Sequence, residues 1–172
     1  MKLRQAQHID IEVIMPIIKE AQIALAKLNI DQWQDGYPSK EIIENDINQG
    51  FGYVIEHNDE VIAYCAVVFN YEPTYTKIED GQWLSNGEFV VAHRIAIKEN
   101  CKGQGVATFL MYKIIELALE KNIKSFKIDT HEGNIVMQKL LKKTGFEYCG
   151  IIYLENGDKR LAFECFSNFV ID

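Results

Sequence analysis

Residues 90–119 read VVAHRIAIKENCKGQGVATFLMYKIIELAL. Val90–Ile97 is a run of β-branched and small residues, the composition of a strand. Lys98-Glu99-Asn100 is a short polar bridge, and Thr108–Leu119 carries apolar residues at helical spacing. Between them, Lys102-Gly103-Gln104-Gly105-Val106-Ala107 places small residues at a helix entrance. The first turn of a helix has N–H groups without intrahelical partners and a partial positive charge. Small side chains leave those donors unshielded, so the segment predicts a seat for a phosphate or pyrophosphate. A strand, a glycine turn and a helix in this order also predict a crossover unit, with a parallel strand to follow.

That strand is read over Lys124–Asp129. Upstream, Leu3–Gln7 reads as a short strand. Ile11–Leu28 reads as a helix with Asp10 as its N-cap, and Pro16 moves its expected start towards Met15. Ser39 is expected to cap a second helix that ends near Asn48. Gly52–Glu56 and Glu60–Phe69 form a hairpin around His57-Asn58-Asp59, and the polar stretch Asn70–Gly87 reads as a loop before a strand over Glu88–Ile97. Asn134–Lys143 is a helix stopped by Gly145. Phe146–Leu154 and Arg160–Phe166 pair around Asn156-Gly157, a strong hairpin dipeptide. The order predicts an α/β (α+β) chain, a mixed sheet with helices on both faces, in one domain over residues 1–172.

Composition narrows the partners. The chain has 172 residues and a formal net charge of −7, which disfavours wrapping nucleic acid. No apolar run is long enough for a bilayer, and the first ten residues lack the apolar core of a signal peptide, so a cytoplasmic protein without membrane contact is expected. Cys65, Cys101, Cys149 and Cys165 form no CxxC and have no histidine at zinc-ligand spacing, so no metal is expected.

Two phosphate-binding readings compete for the turn. Gly103-Gln104-Gly105-Val106-Ala107-Thr108 is a partial dinucleotide fingerprint, with Asp129 at the end of the next strand as the ribose acid. Against it, Thr108 stands where a third glycine belongs, and Lys98–Lys102 separates strand from glycines. No Gly-Lys-Ser or Gly-Lys-Thr follows, which excludes a Walker loop.

The same residues resemble the GCN5-related N-acetyltransferase (GNAT) family. Its signature is Arg or Gln, two residues, Gly, one residue, then Gly or Ala, and Lys102–Ala107 matches it with lysine first. Arg94-Ile95-Ala96-Ile97 resembles the strand before that turn. Asn134, followed by Met137–Phe146, resembles the family's later Asn-bearing helix that ends in Gly-Phe.

The resemblance implies a mostly antiparallel central sheet of the GNAT-like acyltransferase type. It also implies acetyl transfer from acetyl-coenzyme A, as cosubstrate, to a primary amine of a small-molecule or peptide acceptor by direct attack; a homodimer is allowed for. The cofactor would lie between the strands beginning at Glu88 and Lys124. Ile95, Ala96 and Ile97 would meet the pantetheine arm, and Lys102, Gly103, Gln104, Gly105, Val106, Ala107 and Thr108 the pyrophosphate. Asn134 would lie near the thiol, and the Ile95 N–H would polarise the thioester carbonyl.

Many members place a tyrosine, as general acid, four residues before the Gly of Gly-Phe. Here that residue is Leu141. A non-catalytic acyl-coenzyme A-binding or regulatory module is therefore the alternative.

Single residues have two readings each. His131 either transfers a proton or orders the loop before the next helix. Glu88 either deprotonates the amine through water or is a solvated strand start. Trp33 and Tyr37 either cover the acceptor or anchor their turn. Arg94 either binds an acceptor carboxylate or, the favoured reading, makes a structural ion pair.

Overall fold

The computed structural model describes residues 1–166. Its strands are β1 (Lys2–Gln5), β2 (Gly52–His57), β3 (Glu60–Phe69), β4 (Phe89–Ile97), β5 (Ser125–Thr130), β6 (Glu147–Tyr153) and β7 (Lys159–Phe166). The helices are α1 (Ile11–Lys27), α2 (Lys40–Asn48), α3 (Val106–Glu120) and α4 (Ile135–Lys143). The strands form one mixed sheet in the order β1-β2-β3-β4-β5-β7-β6. The expected parallel neighbours are β4 and β5, with Phe89, Val90 and Val91 in register with Ser125, Phe126 and Lys127. The β1–β2, β2–β3, β5–β7 and β6–β7 pairs are antiparallel. With four antiparallel pairs and one parallel pair among these, the sheet departs from the mostly parallel one of a dinucleotide fold.

Two compact units make up the chain. The first comprises Met1–Val67 and Ala92–Leu110. Its core is built from the apolar stripe of α1, Ile11, Ile14, Ile17 and Ile18, together with Ile43, Val54, Val61, Tyr64 and Ala96. Each of the buried isoleucines and valines contributes about 1.5–3 kcal/mol relative to exposure. Pro16 does not delay α1, which runs through it from Ile11. Proline in the second turn removes one N–H, and the four buried isoleucines on either side of it hold the helix together regardless.

Asp10 does not cap α1 through its side chain. It closes a 3₁₀ turn over His8–Asp10, accepting from the Gln7 N–H at 2.7 Å and from Arg4 Nη1 and Nη2 at 2.7 and 2.9 Å. Leu28, expected on the apolar stripe, lies past the end of α1 and is exposed, while Ile30 is buried.

The second unit comprises, among the described residues, Val68–Val91 and residues 111–166. Phe126 on β5 packs edge-on against Phe146 at 4.9 Å between ring centroids, and Tyr148 meets Phe163 at 5.7 Å. The segment read as an irregular loop, Asn70–Gly87, contains a 3₁₀ turn over Pro73–Thr76 and a bridge from Glu79 to Ile151.

Candidate active site

Within the first unit, the end of β4 leads into the glycine turn. The Lys98 N–H donates to the Ile62 carbonyl at 2.9 Å, and a 3₁₀ turn spans Glu99–Cys101. The Glu99 N–H donates to Glu20 Oε2 on α1 at 2.7 Å, and Gln104 Nε2 donates to the Asn100 carbonyl at 2.7 Å. The bridge that separates strand from glycines is thus a built element.

Gly103 and Gly105 have φ of +75° and +83°, and Gln104 between them is not left-handed. A Cβ on either glycine would meet nothing within 4 Å. Glycine is needed there for its dihedral angle, which an L-residue adopts only with strain, and the space beside it stays open. The Gly105 carbonyl accepts the first helical bond of α3, from the Phe109 N–H at 2.9 Å. The N–H groups of Val106, Ala107 and Thr108 precede that bond and have no i−4 carbonyl within the helix. Backbone N–H groups in turn conformations at a helix start are an arrangement that can bind an anion. Lys102 and Lys98, the cations of this segment, pair with Glu99 and Glu60.

Arg94 sits in mid-strand with φ +55°. Its Nε and Nη2 donate to Asp46 Oδ2 and Oδ1 on α2 at 2.8 and 2.7 Å, and Nη1 donates to Tyr37 Oη at 2.7 Å. Tyr64 Oη donates to Asp46 Oδ2 at 2.7 Å. Burial, reinforced by the Asp46 charge, raises the Tyr64 phenol well above its ordinary range, so it stays a donor. The favoured structural reading of Arg94 is what these bonds form. Tyr37 accordingly anchors its turn through its hydroxyl, with the Tyr37 carbonyl accepting from Gln22 Nε2 at 3.0 Å. Trp33 lines a depression of about 570 Å³ with Lys19, Gln22, Ile23, Lys27 and Gly36.

The second unit holds the other expected residues. Asn134 caps α4, its Oδ1 accepting from the Met137 N–H at 3.1 Å. His131 Nδ1 accepts from the Gly133 N–H at 2.9 Å, which puts the proton of the neutral ring on Nε2. Glu88 is exposed and accepts from Asn70 Nδ2 at 3.1 Å. Leu141 is fully buried.

A polar cluster that the sequence did not announce lies in the same unit. Lys127 is 4% exposed and donates to the Ser85 carbonyl at 3.2 Å, with Nζ 4.7 and 4.8 Å from the Trp83 and Phe89 ring centroids. Burial lowers its pKa, against the opposing charge of Glu164. Glu164 is fully buried and accepts from Ser125 Oγ at 2.6 Å and from the Leu84 N–H at 2.7 Å. Among the described residues no group of His, Cys, Asp and Glu is arranged to hold a metal ion, and no helix is long and apolar enough to cross a membrane.

Residues 22–146 match the family model of the acetyltransferase (GNAT) family. The chain belongs to the GNAT family. It is therefore an acyltransferase, since acetyl transfer from acetyl-coenzyme A is general to GNAT proteins. A GNAT acetyltransferase from Streptococcus agalactiae shares 37% identity and a TM-score of 0.89, over 96% of this chain and 94% of that one. Two more distant structures share the GNAT fold. One, from Listeria monocytogenes, has 19% identity and a TM-score of 0.73 over 96% and 94% of the two chains. The other is a ribosomal-protein-alanine N-acetyltransferase from Brucella melitensis, with 20% identity and a TM-score of 0.68 over 96% and 99%. No curated protein gives a significant sequence match.

Proposed function

We propose that this GNAT domain, over residues 1–172, transfers acetyl from acetyl-coenzyme A to a primary amine of a small-molecule or peptide acceptor by direct attack. The observation that carries the reading is the pair of left-handed glycines, Gly103 and Gly105, with open space beside both, leading into the start of α3. That donor set fits a pyrophosphate: N–H groups of Val106, Ala107 and Thr108, backed by the helix dipole. Lys102, Gly103, Gln104 and Gly105 complete the turn. The backbone of Ile95, Ala96 and Ile97 is assigned to the pantetheine arm, and the Asn134 amide, whose Nδ2 carries two donors, to the thiol end.

The chemistry sets further requirements. A lysine-like amine with a pKa of ~10.4 must lose a proton to attack, and the departing thiolate, with a conjugate acid near ~8.5, must gain one. His131 and Glu88 are the groups assigned to these transfers. The Ile95 N–H is assigned to the thioester oxygen, where one preorganised donor is worth about 3–4 kcal/mol. Trp33 and Tyr37 are assigned to the acceptor side. The formal net charge of −7 favours a cationic acceptor.

Thermal denaturation with and without ligand tests the cofactor. Acetyl-coenzyme A at a hundredfold excess over its Kd adds ~2.7 kcal/mol of stability, and NAD adds none. Stabilisation by NAD alone overturns the reading.

A further inference from the structure

We infer that Arg94 is a positioning residue: its guanidinium, fixed by Asp46 and Tyr37, holds β4 in a left-handed kink that aims the Ile95 N–H. The inference rests on the proposed role of that N–H. The φ of +55° at Arg94 is an unusual angle for a long side chain within a strand. Such a conformation persists only where surrounding contacts over-determine it.

Here they do. Three of the guanidinium's bonds are accounted for, two to Asp46 and one to Tyr37, all between 2.7 and 2.8 Å. The Arg94 and Asp46 side chains are only 13% and 4% exposed. Asp46 is itself held by Tyr64, so the carboxylate cannot turn away without stranding a buried hydroxyl. The dihedral angles of residue 94 orient the peptide that follows, and the N–H of that peptide belongs to Ile95. The same guanidinium also holds Tyr37, which closes the turn carrying Trp33. The acceptor-side turn and the N–H are therefore tied through one side chain. Lysine cannot replace it, because a point charge does not reproduce a three-bond planar fork.

The experiment compares Arg94→Ala, Arg94→Gly and the parent. Glycine accepts φ +55° without the clamp, whereas alanine does not. Measured per folded molecule, kcat falls roughly a hundredfold in Arg94→Ala, the low end for losing an aimed oxyanion donor. Arg94→Gly recovers about fivefold of that loss, because the strain is relieved. Affinity for coenzyme A without its acetyl group, which presents no carbonyl to the N–H, stays within about threefold throughout.

A merely structural ion pair changes the melting temperature and leaves kcat per folded molecule equal in the two variants; that result overturns the inference. If the Arg94 variants do not fold, Tyr37→Phe, which keeps the Asp46 pair, decides. A rise in acceptor KM with unchanged coenzyme A affinity supports the tie, and an unchanged KM overturns it. A parent that binds no acetyl-coenzyme A overturns the assignment of Ile95 and this inference with it. A parent that binds and turns over, with variants that match it, overturns the inference alone.

Discussion

Tyr75 donates its hydroxyl proton to Asp129 Oδ1 at 2.7 Å. Asp129 is the residue a dinucleotide reading would give to a ribose, and it is instead engaged by a buried phenol. Burial, together with the Asp129 charge, raises the Tyr75 pKa well above its ordinary range, so the hydroxyl stays a donor. Trp83 Nε1 donates to the Tyr75 carbonyl at 2.9 Å, which fixes the 3₁₀ turn from its other side. Tyr75→Phe is expected to cost about 1–3 kcal/mol, by removing a hydrogen bond to a carboxylate, and to leave acetyl-coenzyme A affinity unchanged. Urea denaturation and calorimetric titration check the two parts.

Gly105→Glu separates geometry from charge. The position has φ +83° and open space, so a side chain fits but the backbone is strained. Gly105→Ala carries the strain alone, about 1–2 kcal/mol. Gly105→Glu adds an anion at the start of α3, where the pyrophosphate is assigned. Acetyl-coenzyme A affinity is expected to fall at least about tenfold further in Gly105→Glu than in Gly105→Ala, or ~1.4 kcal/mol. Equal affinities in the two folded variants place the pyrophosphate elsewhere.

The elements were legible because their signals are local and repeated. The glycine turn, the isoleucine stripe of α1 and the Asn156-Gly157 hairpin each declare themselves within a few residues, and the strand and helix limits fall close to those read. The contacts that shape the candidate site are single residues far apart in sequence. Arg94 meets Asp46 across 48 positions and Tyr37 across 57, and no periodicity announces such a meeting. The left-handed angle at Arg94 was illegible too, since the residue type argues against it. The burial of Lys127 has no local signal either. In SFKIDT a lysine stands between two apolar residues, and the segment around Ser85 and Trp83, about forty positions away, covers it.

The buried ammonium of Lys127 gives a pH signature. Its folded pKa is lowered, chiefly by burial, so the unfolded chain binds more protons between that value and about 10.4. Stability from this group therefore rises with pH through that window and is lowest where lysine is charged in both states. Lys127→Met, which keeps the volume and removes the charge, is expected to gain stability relative to the parent at pH 7. The gain shrinks as pH approaches 10. Urea midpoints for both proteins at pH 7 and pH 10 test this, and an advantage that grows with pH contradicts it.

Leu141 and His131 define the proton question. Leu141 is fully buried, so Leu141→Tyr overpacks α4 and is expected to cost about 1–3 kcal/mol without supplying an acid to the site. His131→Ala is expected to lower kcat about ten- to a hundredfold, at the weak end for acid–base catalysis. Affinity for acetyl-coenzyme A should hold. The profile of kcat against pH separates this from a loop-ordering role through Gly133. Coincident profiles for parent and variant assign the transfer to Glu88 or to water.

Amine-dependent acetyl transfer is decided by the release of free thiol from acetyl-coenzyme A. The protein is incubated with acetyl-coenzyme A and a panel of primary amines, cationic ones included, and coenzyme A thiol and acetylated amine are both quantified. Thiol release is expected to depend on at least one amine, to be matched mole for mole by N-acetyl product, and to be lost in Gly105→Glu. Saturable binding of acetyl-coenzyme A with no amine-dependent thiol release across the panel would contradict transfer to an amine.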